Sequence, residues 1–352
     1  PPSLPRTYPF RSLSPDRPFA APKQKNSESP PMHLRIGTRH SPLALWQAHY
    51  VAEKLSQLGH QVELIKITTT GDTTTTPLGQ GGGVGLFTKE IQRALLDNRC
   101  DVAVHSLKDL PTQPIPHLKL AAVPPREIAN DCLVSLHYHS LLELPQGARI
   151  GTGSPRRKAQ LLNLRPDLVL SEIRGNLDTR IGKLKAGNYD AIVLAHAGLH
   201  RLSLPALGLT PDQVSDIPFE IMLPAVGQAA LGLETRADDA DTQLALQPLD
   251  HPNTHICVHA ERELLRILQA GCLAPVAAQA SITNNHLSLR AKVFSTDGTS
   301  MAATLVHHPI ETENQALKSA LRTAEALALY AAEKLNRLGA ENLIATMRVQ
   351  SQ

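Results

Sequence analysis

The chain carries one local design twice. Arg35–Pro42 reads RIGTRHSP and Arg149–Pro155 reads RIGTGSP, and in both a short apolar strand runs into a Ser-Pro pair that opens a helix-period pattern. After the first copy that pattern places Leu45, Ala48, Val51, Ala52 and Leu55 on one face. Serine as N-cap, with proline at the first helical position, is a strong helix start, and Gly59 is a suitable stop. A second strand follows each helix, QVELIKIT in the first case and DLVLSEI in the second. The parallel continues: the helix KEIQRALLDN leads to the strand DVAVHS, and TRIGKLKAG leads to YDAIVLAHAG. Strands alternating with helices imply open, largely parallel sheets, so the expected class is α/β with two related lobes. Ligands of such sheets sit beyond the carboxyl ends of the strands. The segment PFEIMLPAVGQAALGLETR, Pro218–Arg236, reads as a return crossing into the first lobe. From about Pro252 the grammar changes. A helix HICVHAERELLRILQ, three alternating strands and a long helix from about Asn314 to Leu338 make a smaller C-terminal α+β domain.

Composition narrows the function classes. A chain of 352 residues exceeds one ordinary core. Its 42% hydrophobic and 19% charged content fits a globular protein, and no apolar run is long enough to cross a bilayer. A net charge of +3 and 3% aromatics give no reason to invoke nucleic acid, so any anion site must come from local clustering. Cys100, Cys132, Cys257 and Cys272 lie far apart without a CxxC pair, which argues against a zinc site or a disulfide framework and for a reducing compartment. Residues 1–31 are rich in Pro and Ser, lack a secretory apolar region, and read as a disordered tail. Their basic, acid-poor character leaves an organelle transit peptide as the second reading.

Local clusters then mark candidate chemistry. GTGSPRRKAQ, Gly151–Gln160, gathers backbone N–H groups at a helix start, two hydroxyls and three cations, a combination suited to carboxylate or phosphate. Arg174 and Arg180 of IRGNLDTR follow the next strand and can face the same crevice, while Arg39 and Ser41 hold the matching strand end of the first lobe. HSLKDLP sets Lys108 and Asp109 after the strand DVAVHS; an aspartate among cations stays ionised and can hold a cationic or N–H-bearing group. His105 reads as a packed strand-end histidine rather than a base. GQGGGVGLF, Gly79–Phe87, fits neither dinucleotide nor P-loop spacing; it reads as a loop that closes over a cleft or as a plain connector. Cys272, in QAGCLAP, is either a buried structural thiol or a loop thiol able to carry a covalent group.

Taken together, IGTRHSPLALWQ, TTGDTTTTPL, GLFTKEI, VAVHSLKDLP, GTGSPRRKAQL, IRGNLDTR, LPAVGQAALGLE and HAERELLRILQAGCLAP resemble the porphobilinogen deaminase (hydroxymethylbilane synthase) family from about His33 to the C-terminus. The resemblance implies two lobes like those of periplasmic binding proteins, residues 32–124 with 220–247 and residues 125–219. It also implies a third domain, 248–352, that anchors a cofactor. That cofactor is a dipyrromethane joined by a thioether to Cys272, and the reaction condenses four porphobilinogen units with loss of ammonia. It further implies Asp109 as the catalytic carboxylate. Lys108, Thr152, Ser154, Arg156, Arg157 and Arg180 are implied to bind the cofactor, and Arg39, Ser41, Phe87, Lys89 and Arg174 the substrate. No metal, nucleic acid or membrane partner is implied, and a cytoplasmic monomer is expected. The chain departs from the family pattern at Gln80 and Val84, where lysines are usual, and at Gly153, Pro155 and Ala270. A periplasmic-type solute binder would explain twin lobes but not Cys272; a non-catalytic pyrrole binder would explain the altered loop.

Overall fold

The structure, a computed structural model, describes residues 30–69, 88–271, 274–310 and 317–350. The N-terminal segment 1–29, the Gly-rich segment with Gln80, Val84 and Phe87, and Cys272 lie outside the described residues.

The repeated sequence unit becomes a repeated topology. In the first lobe β1 (His33–Thr38), β2 (Gln61–Lys66), β3 (Val102–Ser106), β4 (Leu118–Ala122) and β10 (Leu231–Arg236) form a sheet of order β2-β1-β3-β10-β4. In the second, β5 (Asp131–Val134), β6 (Arg149–Gly151), β7 (Val169–Ser171), β8 (Ala191–Ala195) and β9 (Val214–Asp216) take the order β7-β6-β8-β5-β9. In each sheet three parallel strands are followed by one antiparallel strand, β10 or β5, and then by an edge strand, β4 or β9, that again runs parallel to the first three. The antiparallel β10 and β5 hold equivalent places, and each is the strand that enters from the opposite lobe. The return segment read from sequence therefore ends as an interior strand of the first sheet. Two crossings, residues 123–130 and 217–230, join the lobes side by side: Asn130 Nδ2 donates to Ile217 O (3.0 Å) and Gln228 Nε2 to Ala129 O (2.8 Å).

Local chemistry explains the unit itself. Helix α1 (Pro42–Gln57) is capped by Ser41, in extended conformation, whose Oγ accepts from the Ala44 N–H at 3.3 Å. Its counterpart, which becomes α3 (Pro155–Leu164) once α2 (Lys89–Leu96) is counted, is capped by Ser154, which accepts from the Arg157 N–H at 3.4 Å. The glycine of each copy has a packing reason. A Cβ on Gly37 would lie 2.8 Å from Cys100 Sγ, and one on Gly151 would lie 3.0 Å from both Ile192 and Tyr189. Ala48, Val51 and Leu55 of α1 pack on Leu34, Ile36, Val102 and Val104, so the periodic face read from sequence is the buried one. Helices α4 (Leu177–Lys185), α5 (His196–Leu202) and α6 (Ala240–Leu246) complete the two lobes.

In the C-terminal part, α7 (Pro252–Ile267) and α8 (Leu317–Arg337) pack against an antiparallel meander of β11 (Val276–Thr283), β12 (His286–Phe294) and β13 (Met301–Pro309), with α9 (Ala340–Gln350) behind. The long helix keeps close to the sheet because its inner face is largely alanine, Ala320, Ala324, Ala328, Ala331 and Ala332. One fully buried carboxylate joins this layer to the crossings. Glu261 of α7 accepts from Arg126 Nη1 (2.6 Å) and Nη2 (3.1 Å), from the Gly227 N–H (2.8 Å) and from the Ala280 N–H (2.8 Å). Four donors compensate the loss of hydration of a charge at such a site.

Candidate active site

The polar residues singled out by sequence gather at the carboxyl ends of strands, on the sides of the two lobes that face each other. From the first lobe, β3 ends in a single tight turn, Leu107–Asp109, that presents half-buried Lys108 and Asp109. From the second, α3 begins just beyond β6 and brings Arg156 and Arg157, while the segment after β7 and the first turns of α4 bring Arg174 and Arg180.

Electrostatics places these groups in one field. Burial brings the Lys108 amine down to about 8; Asp109 opposes that shift, and the neighbouring Arg157 charge adds to it. Burial likewise brings Arg180 down to about 10, helped by repulsion from Arg157 and Arg174 and opposed by Asp109. Lys108 and Asp109 belong to one lobe, Arg157, Arg174 and Arg180 to the other, so mutual influence requires a shared crevice. Cations that depress one another's proton affinity are under-neutralised, the condition that favours a polyanionic ligand.

The arginine pair of α3 is not free in the way its sequence setting implies. Arg156 and Arg157 are buried, and both pair with Asp131, the first residue of β5, at 2.7 Å. Arg157 Nε donates to Asp131 Oδ1 (3.1 Å) and its Nη1 to Val193 O (2.9 Å); Arg156 Nη1 also donates to Leu223 O. Gln228 Nε2 gives Asp131 a further hydrogen bond at 3.0 Å. Burial alone would raise the Asp131 carboxyl, yet the two guanidiniums overcome it and hold the group well below the usual carboxylate range. Two buried polar atoms beside this triad, Arg156 Nε and Gln228 Oε1, have no hydrogen-bond partner among the described residues.

Other expected residues sit around this cluster. Arg39 follows β1 and Ser41 caps α1, the first-lobe equivalents of Gly153 and Ser154. Thr152 is buried, and its Oγ1 accepts from the Ser154 N–H at 3.3 Å, so the hydroxyls of Thr152 and Ser154 both serve the turn. Arg174 pairs with Glu172 at 3.0 Å. Lys89 opens α2, exposed, and makes no hydrogen bond or ion pair with a described residue. His105 is buried and hydrogen-bonded to Glu234 at 3.1 Å, a packed histidine as its strand position implies. Among the described residues no group of His, Cys, Asp and Glu could hold a metal ion, and no helix is long and apolar enough to cross a membrane. Sequence reading missed Asp131, Gln228 and Glu261. An acid directly before an apolar strand was the one visible signal for Asp131, and that pattern is common at strand starts.

Residues 34–244 match the family model described as "Porphobilinogen deaminase, dipyromethane cofactor binding domain", and residues 255–336 match "Porphobilinogen deaminase, C-terminal domain". Among solved structures, a periplasmic sulfonate-binding protein from Methylobacillus flagellatus is 14% identical, covering 67% of this chain and 68% of its own, with a TM-score of 0.34. The methionine-binding protein MetQ is 15% identical, covering 61% and 89%, with a TM-score of 0.38. A putative lipoprotein from Actinomyces odontolyticus is 16% identical, covering 68% and 95%, also at 0.38.

Proposed function

The chain belongs to the porphobilinogen deaminase family, and from that premise we propose that the interlobe cluster of Lys108, Asp109, Arg157, Arg174 and Arg180 is its active site. The protein is a transferase of tetrapyrrole biosynthesis. It joins four porphobilinogen units head to tail on a dipyrromethane primer with loss of ammonia, then releases hydroxymethylbilane by adding water.

The observation that carries the assignment is the under-neutralised cation field spanning both lobes. Each pyrrole unit bears two carboxylates, so primer and product alike bring accumulating negative charge. The donor set fits such a group: half-buried Lys108 and Arg180 lie beside Arg157, and the buried Arg156 Nε lacks a partner among the described residues. Guanidinium forks pair with carboxylates in bidentate fashion, and the partial burial of these groups strengthens each pairing. When bound, the dipyrromethane supplies the pyrrole carbon onto which new units are added.

The chain's own residues then divide the work. Lys108, Arg156, Arg157 and Arg180, with Thr152 and Ser154 at the same turn, hold cofactor carboxylates, and Cys272 carries the cofactor through a thioether. Arg39, Ser41, Phe87, Lys89 and Arg174 receive the incoming porphobilinogen. Asp109, acceptor-only when ionised, takes hydrogen bonds from pyrrole N–H groups and stabilises the positive charge that develops as ammonia leaves. The enzyme acts as a monomer in the cytoplasm, without metal.

Intact mass spectrometry tests the tether and kinetics tests the carboxylate. The purified protein should exceed its sequence mass by one dipyrromethane, and Cys272→Ser should abolish the excess. Asp109→Asn should keep the added mass and lose at least about a hundredfold in kcat, the scale of removing a transition-state electrostatic partner. An unmodified wild-type mass with no consumption of porphobilinogen would leave only a pyrrole-binding protein.

A further inference from the structure

Arg262 follows Glu261 on α7 and reaches the first lobe. Its Nη1 donates to Leu110 O at 2.9 Å and its Nη2 to Pro111 O at 2.7 Å, the two carbonyls immediately past Asp109. The turn that bears Asp109 has few other main-chain restraints: Leu107 N donates to Ala230 O (3.0 Å) and Leu110 N to Leu107 O (3.2 Å). Pro111 has no N–H to contribute. On its other side the turn abuts Gly227, where a Cβ would stand 3.3 Å from Leu107 Cγ and 3.4 Å from the Lys108 nitrogen. Gly227 is itself held by Glu261 through its N–H at 2.8 Å. Two consecutive residues of one C-terminal helix therefore grip both flanks of the turn.

We propose that Arg262 is a positioning residue for the reaction. Its planar fork fixes two successive carbonyls and so sets where the Asp109 carboxylate stands relative to the cations of the second lobe. From the end of helix α7 the chain continues through residues 268–271 to Cys272, so one rigid element is bonded to the catalytic turn and leads to the tether. The C-terminal domain is thereby part of the frame that aligns the reacting groups, beyond carrying the cofactor. The inference rests on the reading of Asp109 as the catalytic carboxylate. Both accepting carbonyls are backbone groups just past Asp109, so loss of the fork is expected to cost alignment of that turn. A misplacement of order 1 Å costs roughly a hundredfold in rate.

The test compares Arg262→Ala and Arg262→Lys with Arg266→Ala, whose side chain pairs with Glu263 on the same helix, and with Asp109→Asn. Intact mass reports cofactor loading, steady-state kinetics separates kcat from KM, and hydrogen exchange follows segment 106–112. Arg262→Ala should load its cofactor and keep KM within about threefold, while kcat falls between about tenfold and a hundredfold. Arg262→Lys, able to reach one carbonyl at a time, should fall between, and Arg266→Ala should match the parent. Exchange should quicken in segment 106–112 and not across β11–β13. A kcat within about twofold of the parent in Arg262→Ala, with Asp109→Asn inactive, overturns the positioning role. So does exchange that quickens uniformly through α7 and the C-terminal sheet, the mark of a merely structural residue. Normal turnover by Asp109→Asn removes the premise instead, whatever Arg262→Ala does. If Arg262→Ala does not fold, Arg262→Lys carries the same comparison.

Discussion

Asp131 holds together two arginines that would otherwise repel each other inside the protein. It neutralises part of their charge and fixes their planes, which leaves a residual positive field at the crevice instead of two arginines driven out to solvent. Replacing it by the near-isosteric asparagine keeps the shape and removes the charge. Asp131→Asn should destabilise the fold by about 3–5 kcal/mol, the cost of breaking a buried pair from one side, read from the midpoint of urea unfolding at unchanged slope. A midpoint equal to the parent's would show that the triad contributes nothing. Lys108 gives a pH signature. With its amine brought down to about 8, it is cationic below that pH and neutral above it. Loading of the unloaded protein with its carboxylate-rich cofactor should therefore slow as pH rises through about 8. Lys108→Arg, charged throughout, should flatten the decline. Mass spectrometry of samples quenched between about pH 7 and 9.5 measures both, and identical profiles would remove Lys108 from the loading step. The arginine pair was legible in sequence because both members stand at one helix start. Asp131 was not, because it comes from a strand 25 and 26 residues away whose pairing with α3 is tertiary.

At the level of elements, the strand–cap–helix unit is local chemistry, and its parts appear where the sequence puts them. Ser41 caps α1 and Ser154 caps α3, each ahead of a proline in the first helical turn. Ser41→Ala should cost about 1 kcal/mol of stability through loss of the cap, measured by urea unfolding, while Ser41→Gly should cost only a few tenths. Equal losses in the two variants would mean that the hydroxyl acts elsewhere than at the helix start. The antiparallel strand of each sheet was less legible. Sequence reading carried β10 only as the end of the return segment Pro218–Arg236 and singled out no strand at β5, and the direction of both follows only from entering each sheet across the lobe boundary. Pairing partners far apart in the chain leave no periodic trace.

For the whole molecule, the joints between layers are few and specific. The turn around Gly298, between β12 and β13, sits on α3: Asn163 Nδ2 donates to Gly298 O at 2.9 Å, and a Cβ on Gly298 would stand 2.4 Å from Ala159 O. Gly298 also has φ +75°, where side chains are disfavoured. Gly298→Ala should cost about 1–3 kcal/mol and push the C-terminal sheet away from the helix that carries Arg156 and Arg157. Urea unfolding measures the first effect, and hydrogen exchange across residues 155–164 the second; a parent-like result in both would show that the joint is slack. A second joint sets the Arg201 guanidinium 5.6 Å from the centre of the Trp46 ring, between α1 and α5, with Nη2 donating to Ala229 O at 2.6 Å. By itself the sequence determined the two α/β lobes, the helix starts and the buried face of α1, because each depends on neighbours within a turn or a strand. Tertiary structure alone decided that Asp131 neutralises the arginine pair, that Glu261 and Arg262 bind the C-terminal helix to the crossings and the Asp109 turn, and that cations of one lobe face a carboxylate of the other. Those relations join residues separated by 25 to 152 positions, and only the closed fold brings them within the few ångströms over which charges and hydrogen bonds act.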